Sequence, residues 1–249
     1  MLEQNHPPHP LMARRLLALT LLVALGAAFS QPDYVVAAFS NMNAGGEVNG
    51  WSEMRLGDAD RSQYALVQDG GETVVRGQAN GSASGLVRAF ALDPNRFPVL
   101  TWRWKAENVL PRGDINRKGG DDYPARIYVT FDYDPGDLSF GDKIKYRALK
   151  ALGYDDIPLR ALSYVWANKA GETQIVPNAF TDWVQMVPVE SGSANVGTWQ
   201  TERRDVVADY RAAFGEEPPA ISGIAIMTDA DNTGGEATAY FGDIRLSTR

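Results

Sequence analysis

Strict alternation of apolar and polar side chains marks two stretches of this 249-residue chain. From Ala125 to Tyr133, the residues Ala125, Ile127, Val129, Phe131 and Tyr133 fall on one side, and Arg126, Tyr128, Thr130 and Asp132 on the other. From Pro98 to Glu107, Leu100, Trp102 and Trp104 alternate with Thr101, Arg103 and Lys105. A period of two is the pattern of a half-buried strand. Two indoles and a leucine on one side predict core, because aromatic side chains carry much of the buried area of a fold. Ahead of the first stretch, a glycine-rich turn carries the adjacent carboxylates Asp121 and Asp122, and Pro124 stands where a strand tolerates proline.

Shorter runs predict further strands at Asp33–Ser40, Trp51–Leu56, Tyr64–Gln68, Thr73–Ala79, Gly85–Leu92, Ala161–Asn168, Asp182–Glu190, Ile221–Thr228 and Ala237–Leu246. Asp69-Gly70-Gly71 is a hairpin signal between two of them. Ile221–Thr228 is apolar on both faces, which suits a central strand. Helical spacing appears twice. Asp142–Leu152 places Ile144, Ala148, Leu149 and Leu152 together, with Asp142 as N-cap and Gly153 as C-cap; Asp205–Phe214 is capped by Asp205 and ended by Gly215. Ten or more short strands with two short helices predict a mainly β, single-domain antiparallel β-sandwich of the jelly-roll kind.

The first thirty residues read differently. Arg14 and Arg15 precede the apolar run Leu16–Phe29, and small residues follow, so residues 1–30 are expected to be a secretory signal peptide, with Met12 an alternative start. Residues 31–249 form the sandwich, and the expected address is periplasmic or secreted. Without Arg14, Arg15 and Glu3, the 24 basic and 31 acidic residues become 22 and 30, a net charge of −8. That acidity argues against nucleic acid, and against anionic membrane as a general partner; after cleavage no stretch remains for stable membrane insertion. The chain has no cysteine, and its two histidines, His6 and His9, precede the leader. The mature protein is thereby denied His/Cys zinc sites and every His-dependent catalytic arrangement. Its chemistry is restricted to carboxylates, Tyr, Lys, Arg or an oxygen-bound cation.

Several blocks of residues then agree with one family in order and content. These are SASGLVRAF (82–90), TWRWK (101–105), KGGDDYPARIYVTF (118–131), SYVWAN (163–168), RDVVADYRAAFG (204–215) and GIAIMTDADNTGG with AYFGDI (223–244). Together they resemble domain-of-unknown-function family 3047, exported bacterial proteins with no established activity. The resemblance therefore implies export and lends no catalytic residue. The ending AYFGDIRL is also similar to the last strand of galactose-binding-like jelly-roll domains, which bears on fold.

Three constellations carry candidate chemistry. Asp121 and Asp122 with Arg126 and Tyr128 either line a groove, where carboxylates and Arg hold sugar groups, or serve the frame. In the second case the acids fix their turn and Arg126 pairs with Asp142 or another acid. Arg103 and Lys105 share a strand face; if that strand neighbours the Ile127 strand, they join Arg126 in a basic strip suited to an anionic glycan. Asp229, Asp231 and Asn232, in the Asp229–Gly235 turn, offer closely spaced oxygens for calcium, with Asp243 as a buttress. The expectation that follows is a non-catalytic module binding an extracellular or cell-wall glycan. The alternatives are a His-independent polysaccharide lyase or hydrolase, built on Tyr128 or Tyr123 with Arg126 and Arg103, or on Asp122 with Asp132 or Asp229, and a structural periplasmic protein.

Overall fold

Gly70 and Gly71 both take positive φ, 60° and 86°, a region that only glycine enters without strain. They close a two-residue hairpin in which Asp69 faces Glu72, joining strand β3 (Gln63–Asp69) to β4 (Glu72–Asn80). The structure is a computed structural model that describes Met1, residues 33–151 and residues 158–249. Residues Gln31–Arg249 form a compact unit separate from Met1–Ser30; the expected leader lies outside the described residues. The remaining strands are β1 (Tyr34–Ala37), β2 (Ser52–Arg55), β5 (Ala83–Leu92), β6 (Val99–Ala106), β7 (Arg126–Phe131), β8 (Ala161–Ala167), β9 (Val176–Pro177), β10 (Val184–Ser191), β11 (Gln200–Asp205), β12 (Ile221–Asp229) and β13 (Glu236–Ser247). Helix α1 spans Phe140–Ala151 and α2 spans Val206–Phe214.

The strands form two sheets. One runs β11-β6-β13-β4-β3, with β1 also on β13; the other runs β2-β5-β12-β7-β8-β10-β9. The chain is thus a mainly β sandwich with two α-helices. Pairing is antiparallel except between β8 and β10, which run parallel. β9 and β11 were not visible as strands in the sequence. β11 reads QTERRD, with no apolar residue to set a period; it exists because its backbone pairs with β6.

Leu100, Trp102 and Trp104 point from β6 into the space between the sheets, and Ile127, Val129 and Phe131 enter it from β7. Trp102 lies 5.2 Å from Tyr164 of the opposite sheet, and Trp104 lies 6.1 Å from Trp166. The two indoles meet edge to face at 5.4 Å, a preferred aromatic geometry. Truncating a buried Trp or Phe of this kind costs about 3–5 kcal/mol. β12 is central, as its two apolar faces predict: Ile224 and Ile226 enter this core, while Ala225 and Met227 pack on the outer side with Met54 and Ala83.

Alternation then fixes where the polar faces go. β6 and β7 belong to different sheets, so the outward side chains Arg103 and Lys105 lie on one outer face of the sandwich, and Arg126 and Tyr128 on the opposite one. The basic strip expected from pairing of these two strands does not form.

Both helices begin with a side chain answering an orphan backbone N–H. Asp205 caps α2 by accepting from the Ala208 N–H, and Gly215 ends it at φ 74°, as expected. At α1 the capping residue is Ser139, not Asp142. Its hydroxyl accepts from the Asp142 N–H at 3.1 Å and donates to the Asp142 carboxylate at 2.6 Å, a reciprocal capping arrangement. The expected cap Gly153 lies outside the described residues.

Candidate functional site

The loop between β6 and β7 turns through a short 3₁₀ segment, Lys118–Gly120, and carries Asp121 and Asp122 under the end of β12. Asp122 is fully buried, and its carboxylate accepts from the Asn232 N–H at 3.2 Å, the Asn232 side-chain amide at 3.2 Å and the Thr233 N–H at 2.6 Å. It fixes the turn between β12 and β13. The backbone carbonyl of Asp122 accepts from the Asn168 side chain at 2.6 Å, and Asn168 accepts from the Leu110 N–H at 2.7 Å.

Arg126 is the hub of this end. Its guanidinium holds Asp229 with two N–H groups, Nε to Oδ1 at 2.8 Å and Nη2 to Oδ2. It also donates to the Asp121 carbonyl and to the Tyr128 hydroxyl, the latter at 3.2 Å, and lies 4.3 Å over the Tyr123 ring. The side chain of Asp121 accepts from Asn178 at 2.7 Å. Arg126 and Asp229 are 3% and 1% exposed, so the pair is desolvated. Burial pushes the Asp229 carboxyl up to about 8 against the pull of Arg126, and burial likewise raises Asp121. Burial opposes the Arg126 charge, but Asp229, with Tyr128 and Asp121, outweighs it and holds the guanidinium protonated well above its usual range. Tyr123 and Tyr128 are also raised by burial, which disfavours a phenolate base at either position.

Of the two readings of these residues, the geometry favours the frame. Asp121, Asp122, Arg126 and Tyr128 come together with Asp229, but around a guanidinium and not around a hollow. The partner of Arg126 is Asp229, not Asp142. Oxygens of Asp122, Asp229 and Asp231 do lie within 4.8 Å of one another. Both oxygens of Asp229 nevertheless face Arg126, both oxygens of Asp122 face N–H donors, and the Asn232 amide donates to Asp122 and Asp231. The donor set suits a cation already supplied by the chain more than a calcium ion, which needs six or more oxygens to itself. Asp243 does not buttress this turn. It accepts from the backbone and hydroxyl of Ser40, at 3.0 and 2.8 Å.

On the opposite outer face, Arg103 and Lys105 stand beside two rings that are not among the sequence candidates, Trp199 and Tyr240. The Arg103 guanidinium lies 4.6 Å over Trp199, and the Lys105 ammonium 4.3 Å over Tyr240 and 5.6 Å over Trp199. The rings are 6.5 Å apart and tilted by 58°. Each cation has an acid: Arg103 pairs with Glu72, and Lys105 with Asp69 at 2.7 Å and Glu107 at 3.2 Å. Asp69 also accepts from the Trp199 indole N–H at 2.8 Å, and the hydrogen bond from Lys105 holds its carboxyl below the usual range. Gly242 makes the arrangement possible, because a Cβ there would stand 2.5 Å from the stem of Arg103.

Strand register extends this face. Lys105, Tyr240, Arg76 and Ala65 form one cross-strand row, and Thr238, Gln78 and Gln63 a second. Beside the second row lies an open cleft of about 330 Å³ lined by Asp60, Arg61, Asn80 and the side chains of that row. Alternation in Ala237–Phe241 could have revealed Tyr240, since Ala237, Ala239 and Phe241 are buried and Thr238 and Tyr240 are not. Trp199 sits in a polar turn, Gly197–Trp199, where no period exists to place it.

The family model for a protein of unknown function (DUF3047) matches residues 49–245. No curated protein matches the sequence. Similar solved structures include a family 11 carbohydrate-binding module from Clostridium thermocellum in complex with a β-1,3-1,4-mixed-linked tetrasaccharide. It is 11% identical, with a TM-score of 0.41, covering 86% of this chain and 95% of that one. A family 29 carbohydrate-binding module is 12% identical, with a TM-score of 0.37 and coverage of 88% and 93%. The K3 cleaved adhesin domain of Lys-gingipain from Porphyromonas gingivalis is 11% identical, with a TM-score of 0.38 and coverage of 87% and 100%.

Proposed function

The chain belongs to the DUF3047 family of proteins of unknown function, and from that premise we propose that it is an exported, non-catalytic glycan-binding sandwich. The binding surface in this reading is the outer face of the sheet that holds β6 and β13. One observation carries it: Trp199 and Tyr240 lie half-buried on a sheet face, ringed by side chains that both donate and accept. The apolar C–H face of a pyranose stacks on an aromatic ring, and its hydroxyls need donors and acceptors placed around that ring. Arg103 with Glu72, and Lys105 with Asp69, present both; Gln63, Gln78 and Thr238 continue the supply toward the cleft.

The charge balance of the face selects the class of glycan. Around the two rings Arg103 is met by Glu72, and Lys105 by Asp69 and Glu107, two cations against three acids. A neutral polysaccharide suits such a surface better than the anionic glycan expected from the cations alone. Export is supported by the Arg14-Arg15 leader pattern, and cell fractionation showing the chain only in the cytoplasm would end that part of the reading.

The test is affinity electrophoresis through neutral and acidic polysaccharides, with the parent and the variants Trp199→Ala and Tyr240→Ala. Retardation by a neutral polymer should fall about tenfold or more in each variant, since losing a stacked ring removes about 1–3 kcal/mol by analogy with base stacking. A blank across both panels, or undiminished binding by both variants, would overturn the proposal. A lyase or hydrolase centred on Arg126 is not favoured, because Asp122, Tyr123, Arg126 and Asp229 are all buried, the last three engaged with one another and Asp122 with Asn232 and Thr233.

A further inference from the structure

Helix α1 turns only one side inward. Tyr146 meets the Trp183 ring at 6.3 Å, and Lys145 lies 4.8 Å over the same indole while donating to the Thr181 hydroxyl at 3.3 Å. Trp183 itself sits in a small core with Leu138 and Leu159. The outward side is apolar where a surface helix is ordinarily polar. Phe140 is 82% exposed and Ile144 54%; Ala148 and Ala151 are exposed as well. Positions 140, 144, 148 and 151 lie within one arc of a helix with 3.6 residues per turn. On the same geometry, Arg147, Lys143 and Lys150 border that arc on one flank. Phe180, also exposed and with the Lys118 ammonium 5.3 Å from its ring, is next in the chain to Thr181.

Charge sets the helix apart from the body. Lys143, Lys145, Arg147 and Lys150 face a single acid, Asp142, within twelve residues, on a chain whose net charge is −7. Single exposed apolar residues need no explanation. An exposed apolar arc bordered by cations, on a helix tethered by its other side, is the pattern of an element that lies in a membrane interface. We infer that α1 docks the protein on an anionic lipid surface, with Phe140 and Ile144 entering the headgroup boundary and Lys143, Arg147 and Lys150 meeting lipid phosphates. The acidic body is a counterweight: its repulsion from the same surface is screened over about 8–10 Å at ordinary ionic strength. Docking is therefore local, reversible and salt-sensitive. It is independent of the glycan reading and uses a different part of the molecule.

The experiment is co-sedimentation of the compact unit Gln31–Arg249 with vesicles of phosphatidylglycerol mixed into phosphatidylcholine, and with pure phosphatidylcholine vesicles. The expected result is partition onto the anionic vesicles that weakens as salt rises, and little onto the zwitterionic ones. The double variant Phe140→Ser/Ile144→Ser should lose about tenfold in partition from the apolar transfer terms alone. Arg147→Ala should lose about fivefold, the equivalent of one surface cation. These side chains are exposed, so an unchanged melting curve confirms that each variant is folded. Equal and negligible recovery with both kinds of vesicle overturns the inference, as does pelleting of the double variant like the parent. Concentration-dependent self-association abolished by the same double variant, with no vesicle binding, would assign the arc to a second copy of the chain.

Discussion

Replacing Arg126 by Met tests whether the buried hub is frame or binding site. The guanidinium makes four hydrogen bonds, two to Asp229, one to the Asp121 carbonyl and one to the Tyr128 hydroxyl. Without it, Asp229 keeps one weak donor, the Tyr123 N–H at 3.3 Å. Breaking a buried ion pair from one side costs about 3–5 kcal/mol, because the remaining charge is stranded. That is a large part of a typical total of about 5–15 kcal/mol. With a urea m-value of about 2 kcal/mol/M, the midpoint should fall by about 1.5–2.5 M, read by fluorescence of the buried indoles. Because Arg126 pulls the Asp229 carboxyl down, in its absence that carboxyl ionises only above about 8, and the loss should be greatest there. It should shrink at lower pH, where the stranded carboxyl takes up a proton. The double variant Arg126→Met/Asp229→Leu should recover most of the loss, since apolar replacement of a buried pair is often neutral. A single variant within about 1 kcal/mol of the parent at every pH tested would refute the hub. A folded double variant that had lost glycan binding would return Arg126 to the binding site.

Three further outcomes follow from the same geometry. Asp122→Ala leaves the Asn232 and Thr233 amides without their acceptor; it should cost about 2–3 kcal/mol and speed hydrogen exchange at Thr233. Asp229 holds its proton to about pH 8 when folded and loses it near 3.8 when unfolded. Between those values only the folded state carries the proton, so this group makes stability fall as pH rises from about 4 to about 8. Asp229→Asn should flatten that part of a melting-temperature profile, and an unchanged slope would contradict the assignment. In Gly85→Ala the new Cβ would stand 2.7 Å from the Ile226 carbonyl. Because the obstacle is backbone of the central strand, the cost should be about 1–3 kcal/mol in urea denaturation.

Period-two patterning located β6, β7 and β13 to within a residue or two, and placed Trp102 and Trp104 in the core, because each of those strands buries one complete face; β12 was legible instead from its continuous apolar run, since both its faces are buried. Neither pattern said which strand pairs with which. The placement of Arg103 beside Arg126 failed at that step: both strands alternate alike, but they lie in different sheets, and pairing is a long-range property. The Arg126–Asp229 pair was out of reach for the same reason, its members standing 103 positions apart. Local capping chemistry was partly legible. Asp205 and Gly215 were read correctly from their neighbours, whereas at α1 the Ser139–Asp142 pair was present in the sequence and its acid was taken for the cap.

The two outer faces of the sandwich divide the work according to what covers them. The β6–β7 loop folds over the outer side of the larger sheet, burying Ile115 and Tyr123 against Val165, Ala167 and Met186. A loop laid over a sheet brings polar backbone and charged side chains out of water, and each must then be satisfied. Arg126, Asp122 and Asn168 satisfy many of these groups, so the densest cluster of ionisable groups marks the closed face. The outer side of the smaller sheet has less to satisfy. Its charge pairs gather around Trp199 and Tyr240, where Lys105 is buried against Asp69 but Arg103 and Glu72 remain partly exposed and open to a ligand. Concentrated charge in this sequence therefore points to closure, and the sparser mixture of rings and paired charges to recognition. Trp199→Ala and Arg126→Met should accordingly separate: the first should weaken binding about tenfold or more with little loss of stability, and the second should cost stability while the folded fraction still binds.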